Sequence, residues 1–165
     1  MDDFQILETT EAHVEGFNHC LAVVASERRY IGLTEAPTMD ASRQFVRTVI
    51  SNNGVHLVVV DATGSVVGWC DIARFALPGF DHAGRLGMGL LPEARGRGLG
   101  RRLIAAAIDA ARERGFERIE LDVFASNTRA RALYERIGFA EEGVRRRARK
   151  LDGQYDDDVI MGLLL

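Results

Sequence analysis

Residues 86–101 read Leu-Gly-Met-Gly-Leu-Leu-Pro-Glu-Ala-Arg-Gly-Arg-Gly-Leu-Gly-Arg: an apolar run, a glycine-rich turn, then a helix-like pattern. Glycines let a backbone approach a ligand closely, and the first N–H groups of a helix lack internal partners. With the positive end of the helix dipole, those donors make a phosphate site. Arg95, Arg97 and Arg101 add positive charge around it. This is not a Walker A loop, because no Gly-Lys-Ser/Thr follows the glycines. A dinucleotide fingerprint starting at Gly96 would need its third glycine where Arg101 stands, and it belongs to the first βα turn of a doubly wound sheet. His13, His19, His56 and His82 show no metal-ligand spacing, and Cys20 and Cys70 have no CxxC-type spacing.

Elements on either side must position this loop. A short apolar segment at 4–7 suggests an edge strand, and Thr9 or Thr10 can cap a helix over about 11–28 with Val14, Phe17, Leu21 and Val24 on one face. A second helix is expected over 40–51, stopped by Asn52-Asn53-Gly54. Two apolar runs, 56–60 and 66–73, flank turn residues 61–64 and form a hairpin, and a further strand covers 85–91. The strongest helix spans 99–114, with Leu99, Leu103, Ala106 and Ala110 as its stripe and Gly115 as its stop. Alternation at 119–124 gives a strand, and Asn127 can cap a helix presenting Ala130, Leu133, Tyr134 and Ile137. Strands at 139–150 and 155–164 flank Asp152-Gly153, a strong hairpin signal. The order is β-α-α-β-β-β-α-β-α-β-β, read as one domain over 1–165.

Arg95-Gly96-Arg97-Gly98-Leu99-Gly100 resembles the Arg/Gln-x-x-Gly-x-Gly/Ala signature of the GNAT superfamily of N-acetyltransferases. The resemblance extends to Asn127, Ala130, Leu133, Tyr134, Gly138 and Phe139, and covers roughly 55–165. It implies a mixed α/β (α+β) fold: a mostly antiparallel twisted sheet of about seven strands flanked by about four helices. It also implies acetyl-CoA as acetyl donor. Met88, Gly89 and Leu90 would then pair with the amides of its arm, as a peptide does in β-augmentation. Arg95, Gly96, Arg97, Gly98, Leu99, Gly100 and Arg101 would hold its pyrophosphate, and Asn127 would bond the arm, though Asn127 equally fits a plain helix cap. Gly87 and Gly89 suit close backbone approach within a strand, or a bulge.

On this resemblance Tyr134 is the proton donor. A phenol can hydrogen-bond and protonate the departing sulfur as the C–S bond breaks, while its ring packs with the helix's apolar face. Many relatives carry a glutamate near the start of the fourth strand, where this chain has Gly84-Arg85. Asp122, on the fifth strand, is the expected base. Asp71, His82 or a water chain are the other options. Cys70 as an acetyl-cysteine nucleophile is conceivable, but a free buried cysteine usually behaves as a small hydrophobe.

Composition limits the remaining choices. The 165 residues are 47% apolar and 27% charged, which excludes collagen-like, disordered and disulfide-scaffold classes. Arginine and lysine total 21 against 24 acidic residues, so a net charge of -3 argues against nucleic acid or an anionic membrane as partner. The arginines of 145–149 face Asp156-Asp157-Asp158 across the expected final hairpin, which favours cross-strand pairing. No stretch approaches the roughly 20 apolar residues that span a bilayer, and the start lacks a leader pattern, so the expectation is a cytoplasmic protein without a metal. The acceptor is expected to be a small-molecule amine, an amino acid or a peptide amine, held between loops 27–37 and 75–81 and the final hairpin. The tail over 139–165 resembles that of relatives acting on small amines, amino acids or ribosomal-protein N-termini. An apolar hairpin edge could support a homodimer. A non-catalytic acyl-CoA-binding domain on the same fold is the alternative.

Overall fold

The computed structural model describes residues 3–165; residues 1–2 of the expected domain lie outside the described residues. Seven strands form one sheet in the order β1-β2-β3-β4-β5-β7-β6. They are β1 (Gln5–Glu8), β2 (Val55–Val60), β3 (Val66–Arg74), β4 (Ala83–Leu90), β5 (Arg118–Phe124), β6 (Ala140–Leu151) and β7 (Gln154–Leu164). Every neighbouring pair is antiparallel except β4 and β5, which are joined through a helix and run parallel.

Among the described residues the α-helices are α1 (Val14–Ser26), α2 (Met39–Ser51), α3 (Leu99–Glu113) and α4 (Thr128–Ile137). The helix expected from residue 11 begins instead as a 3-10 turn, Glu11–His13, capped by Thr10. Thr9 is not the cap: it is buried, with its hydroxyl 2.8 Å from His56 Nδ1. α1 and α2 cover one face, with Phe17 of α1 edge-on to His56 and Trp69 and Phe45 of α2 edge-on to His56. β2 is buried along its whole length, which is why Val-His-Leu-Val-Val-Val shows no alternation. β5 does alternate, with Ile119, Leu121 and Val123 buried.

α3 buries Leu99, Leu103, Ile104, Ala107, Ile108 and Ala111, so its core stripe lies one position beyond the expected Ala106 and Ala110. The final hairpin turns through Asp152 and Gly153, both at positive φ, as a two-residue primed turn requires. Arg145 pairs with Asp158 at 2.7 Å, and the Arg147 amide donates to Asp157 at 2.7 Å within a bulge. The expected apolar hairpin edge is absent. β6, the edge strand, presents mainly charged side chains with Val144 among them, a pattern that discourages edge-to-edge pairing.

Candidate active site

β4 and β5 pair only at Ala83 with Arg118, Gly84 with Ile119 and Arg85 with Glu120. Past that point β4 continues to Leu90 on β3, while β5 continues to Phe124 on β7. The sheet forks there, leaving residues 86–90 without a strand on the β5 side. Ala83 and Gly84 at the closed end are buried, whereas Gly87, Met88, Gly89 and Leu90 are half-buried. An open edge of this kind accepts the amides of an extended ligand as it would accept another strand.

The glycine loop lies at the open end of the fork. Gly96 and Gly98 have φ of +77° and +75°, and Gly98 is the N-cap of α3. A Cβ at Gly98 would meet nothing within 4 Å, so it is the left-handed backbone, not space, that calls for glycine. The first turn of α3 has neither a side-chain cap nor an acidic residue, and Arg97 and Arg101 are exposed beside it. The N–H groups and helix dipole there suit an anion. Around Gly100 lie Leu133 Cδ2, Leu90 Cδ1 and Met88 Cε, at 3.4–3.8 Å from where its Cβ would stand. This gives the fork an apolar wall next to an anion-binding mouth.

Tyr134, the expected proton donor, lies on α4. Tyr134 is buried, its ring 5.8 Å from Phe139 in an edge-on contact, and its carbonyl accepts from the Gly138 and Phe139 amides. Burial pushes the phenol well above its ordinary pKa, with a smaller contribution from Cys70.

Residues 19–139 match the model of the Acetyltransferase (GNAT) family. The chain belongs to that family. It is 53% identical over 57 residues to a mycothiol acetyltransferase of Beutenbergia cavernae, covering 34% of this chain and 19% of that one. It is 36% identical over 99 residues to the N-alpha-acetyltransferase RimI of Mycobacterium tuberculosis, covering 59% and 60%. The chain thus spans less than two thirds of the length of either curated relative. A crystal structure of a ribosomal-protein-alanine N-acetyltransferase from Brucella melitensis superposes with a TM-score of 0.90 at 26% identity, covering 98% of this chain and 99% of that one.

GNAT acetyltransferases use acetyl-CoA, and the fork, apolar wall and anion-binding mouth fit its amide arm and pyrophosphate. Two of the expected contacts are modified. The Arg95 guanidinium is engaged within the protein: Nε donates to the Leu90 carbonyl at 3.0 Å, and a terminal nitrogen donates to Glu27 at 2.8 Å. Arg95 therefore braces the loop against the end of α1. Asn127 caps α4, its Oδ1 accepting from the Ala130 amide at 3.2 Å, which leaves its amide NH2 for a donor arm.

The carboxylate expected as base is also committed elsewhere. Asp122 lies 3.2 Å from Arg85 and 3.4 Å from Arg145, and Arg145 in turn binds Asp158. These ion pairs make Asp122 a fastener between β4, β5 and β6. Loop 75–82 does not border the open fork: it joins the closed end, where the Glu117 amide bonds the His82 carbonyl at 2.8 Å. Cys70 is fully buried and its thiol is pushed well up by burial, so it is protonated at neutral pH. Two contacts carried no signal in the sequence. Glu27 holds Arg95, and Arg28 forms a two-pronged pair with Asp152, linking loop 27–38 to both the glycine loop and the hairpin tip.

Proposed function

We propose that residues 1–165 act as an N-acetyltransferase that moves an acetyl group from acetyl-CoA directly to a primary amine. The observation that carries this reading is the fork: an unpaired β4 edge opening onto the glycine loop at the start of α3. Acetyl-CoA supplies an activated thioester. The chain's own residues align it along 86–90, hold its phosphates at 96–101, and present the Tyr134 hydroxyl to the leaving sulfur. The raised pKa of that phenol keeps it protonated throughout the working range, as a hydrogen-bond donor must be.

The acceptor enters from the side bounded by loop 27–38 and the tip of the final hairpin. A small molecule, an amino acid or a protein N-terminus fits that description. The similarity to a ribosomal-protein-alanine N-acetyltransferase puts peptides with N-terminal alanine first in the panel to be tried. Thiol release from acetyl-CoA should be followed with such peptides, free amino acids, polyamines and aminoglycosides. Turnover with one class and intersecting initial-rate plots are expected, because the acceptor attacks within a ternary complex. Parallel plots with loss of activity in Cys70→Ala would instead require an acetyl-enzyme.

A further inference from the structure

Direct transfer needs a group that removes a proton from the incoming ammonium. In a strand, alternate residues share a face, and directly opposed residues share it across strands. Trp69 and Asp71 of β3, His56 of β2, and Arg85, Gly87 and Gly89 of β4 therefore lie on the face covered by α1 and α2. Glu120, Asp122 and Asp158 flank the fork too, but arginines hold all three. Glu120 binds Arg118 at 3.2 Å, Asp122 binds Arg85, and Asp158 binds Arg145 at 2.7 Å. Asp71 has no ion pair among the described residues.

Opposite Asp71 stands Gly87, on the part of β4 that has lost its β5 partner. A Cβ added at Gly87 would lie 3.2 Å from Asp71 Oδ1 and 3.6 Å from Oδ2. The carboxylate thus reaches over the bare glycine toward the slot, into space that any other side chain would dispute. We propose that Asp71 is the general base of the transfer, acting across Gly87 on the acceptor side of the fork. This rests on the acetyltransferase reading above.

The surroundings suit the task. Burial raises the Asp71 carboxyl to about 7, with hydrogen bonding from the Trp69 indole working the other way. A base titrating near the operating pH is the most effective one. β2 presents His56, which burial holds neutral with a pKa of about 4 and whose Nε2 is buried without a partner. β4 presents Gly87 and, one alternate position back, Arg85, which is turned to Glu120 and Asp122. α1 and α2 present Phe17 and Phe45 to this cluster, and the Cys70 thiol lies on the reverse face.

The protons balance. The ammonium gives one proton to Asp71, and the neutral nitrogen bonds to the carbonyl carbon as the C–S bond breaks. The sulfur leaves with the bonding pair and takes the Tyr134 proton. Tyr134 regains one from the nitrogen, and Asp71 returns its own to water. The products are an amide, a free thiol and one released proton.

The test compares wild type with Asp71→Asn across pH, using a peptide with N-terminal alanine or whichever panel amine the wild type turns over. In wild type, kcat/KM should rise through an inflection near 7. In Asp71→Asn, kcat at pH 7 should fall by about 10²–10⁴ and the inflection should vanish, with acetyl-CoA affinity unchanged. An unchanged inflection, or its loss in Asp122→Asn alone, overturns the assignment. Carbon-13 NMR of the wild-type Asp71 carboxyl decides the matter independently of turnover and of how the variant folds. A midpoint near 7 is expected, and a midpoint below about 5, the ordinary carboxylate range, overturns it. Absence of turnover with every amine, with the midpoint still near 7, would instead sink the transferase reading and the base with it.

Discussion

At the scale of single residues, Tyr134 is the group whose role a minimal change can isolate. Tyr134→Phe keeps the ring that packs edge-on to Phe139 and deletes only the hydroxyl. General acid catalysis contributes about 10²–10⁴-fold, so kcat should drop within that range while the Kd for acetyl-CoA stays put. A wild-type kcat measured by thiol release would remove the phenol from the chemistry. The sequence singles out Tyr134 because it sits within a motif and on a helix face, both local patterns, and the structure does place it on that helix. Asp71, the base proposed above, is not singled out in that way. Asp122 and Asp71 look alike as isolated aspartates on strands. What separates them are neighbours distant in sequence: Arg85 and Arg145 around one, Gly87 and His56 around the other.

At the scale of elements, the glycine loop and the fork do different work. The loop was readable residue by residue, since alternating glycines before a helix have a local backbone reason, and Gly96 and Gly98 do adopt positive φ. The fork was not, because it is a matter of register. Nothing in 83–90 or 118–124 says that pairing stops after Arg85 and Glu120. The missed shift in the α3 stripe has a similar origin. Alanines at 105, 106, 107, 110 and 111 look alike in sequence, and only packing against β2 and β3 selects Ala107 and Ala111. Gly98→Asp tests the loop as an anion site. A side chain at φ +75° strains the cap by about 1–2 kcal/mol, and the carboxylate repels phosphate at the helix start. Acetyl-CoA at about 100 times its Kd should stabilise wild type by about 2.7 kcal/mol. That stabilisation should vanish in Gly98→Asp, as read by thermal unfolding with and without ligand; an undiminished shift would place the pyrophosphate elsewhere.

At the scale of the whole molecule, the proposed base belongs to a buried polar pair on the α1/α2 face, so its titration also bears on stability. His56 of β2 and Asp71 of β3 stand opposite one another beneath Phe17, and both are displaced from their ordinary titration by burial. Their signs differ. His56 is held near 4 when folded and near 6.5 when unfolded, so between those values the unfolded chain binds the extra proton, and stability falls as pH falls. Asp71 is held near 7 when folded and near 3.9 when unfolded, so there the native state binds the extra proton, and stability falls as pH rises. Each slope is about 1.4 kcal/mol per pH unit, and between pH 4 and 6.5 the two oppose and nearly cancel. Removing either group should uncover the other. Unfolding free energies from urea titrations at half-unit pH steps would show it. Relative to wild type, Asp71→Asn should gain about 1.4 kcal/mol per unit as pH rises from 4 to 7. His56→Asn, which keeps a polar atom for Thr9, should lose a similar amount per unit from 4 to 6.5, and the double variant should again run parallel to wild type over that window. Single variants that track wild type across the whole range would mean that neither group is held in its displaced state by the fold. A carboxylate ionised at pH 5 in that position would also have lost the property that suits it to accept an amine's proton near neutrality.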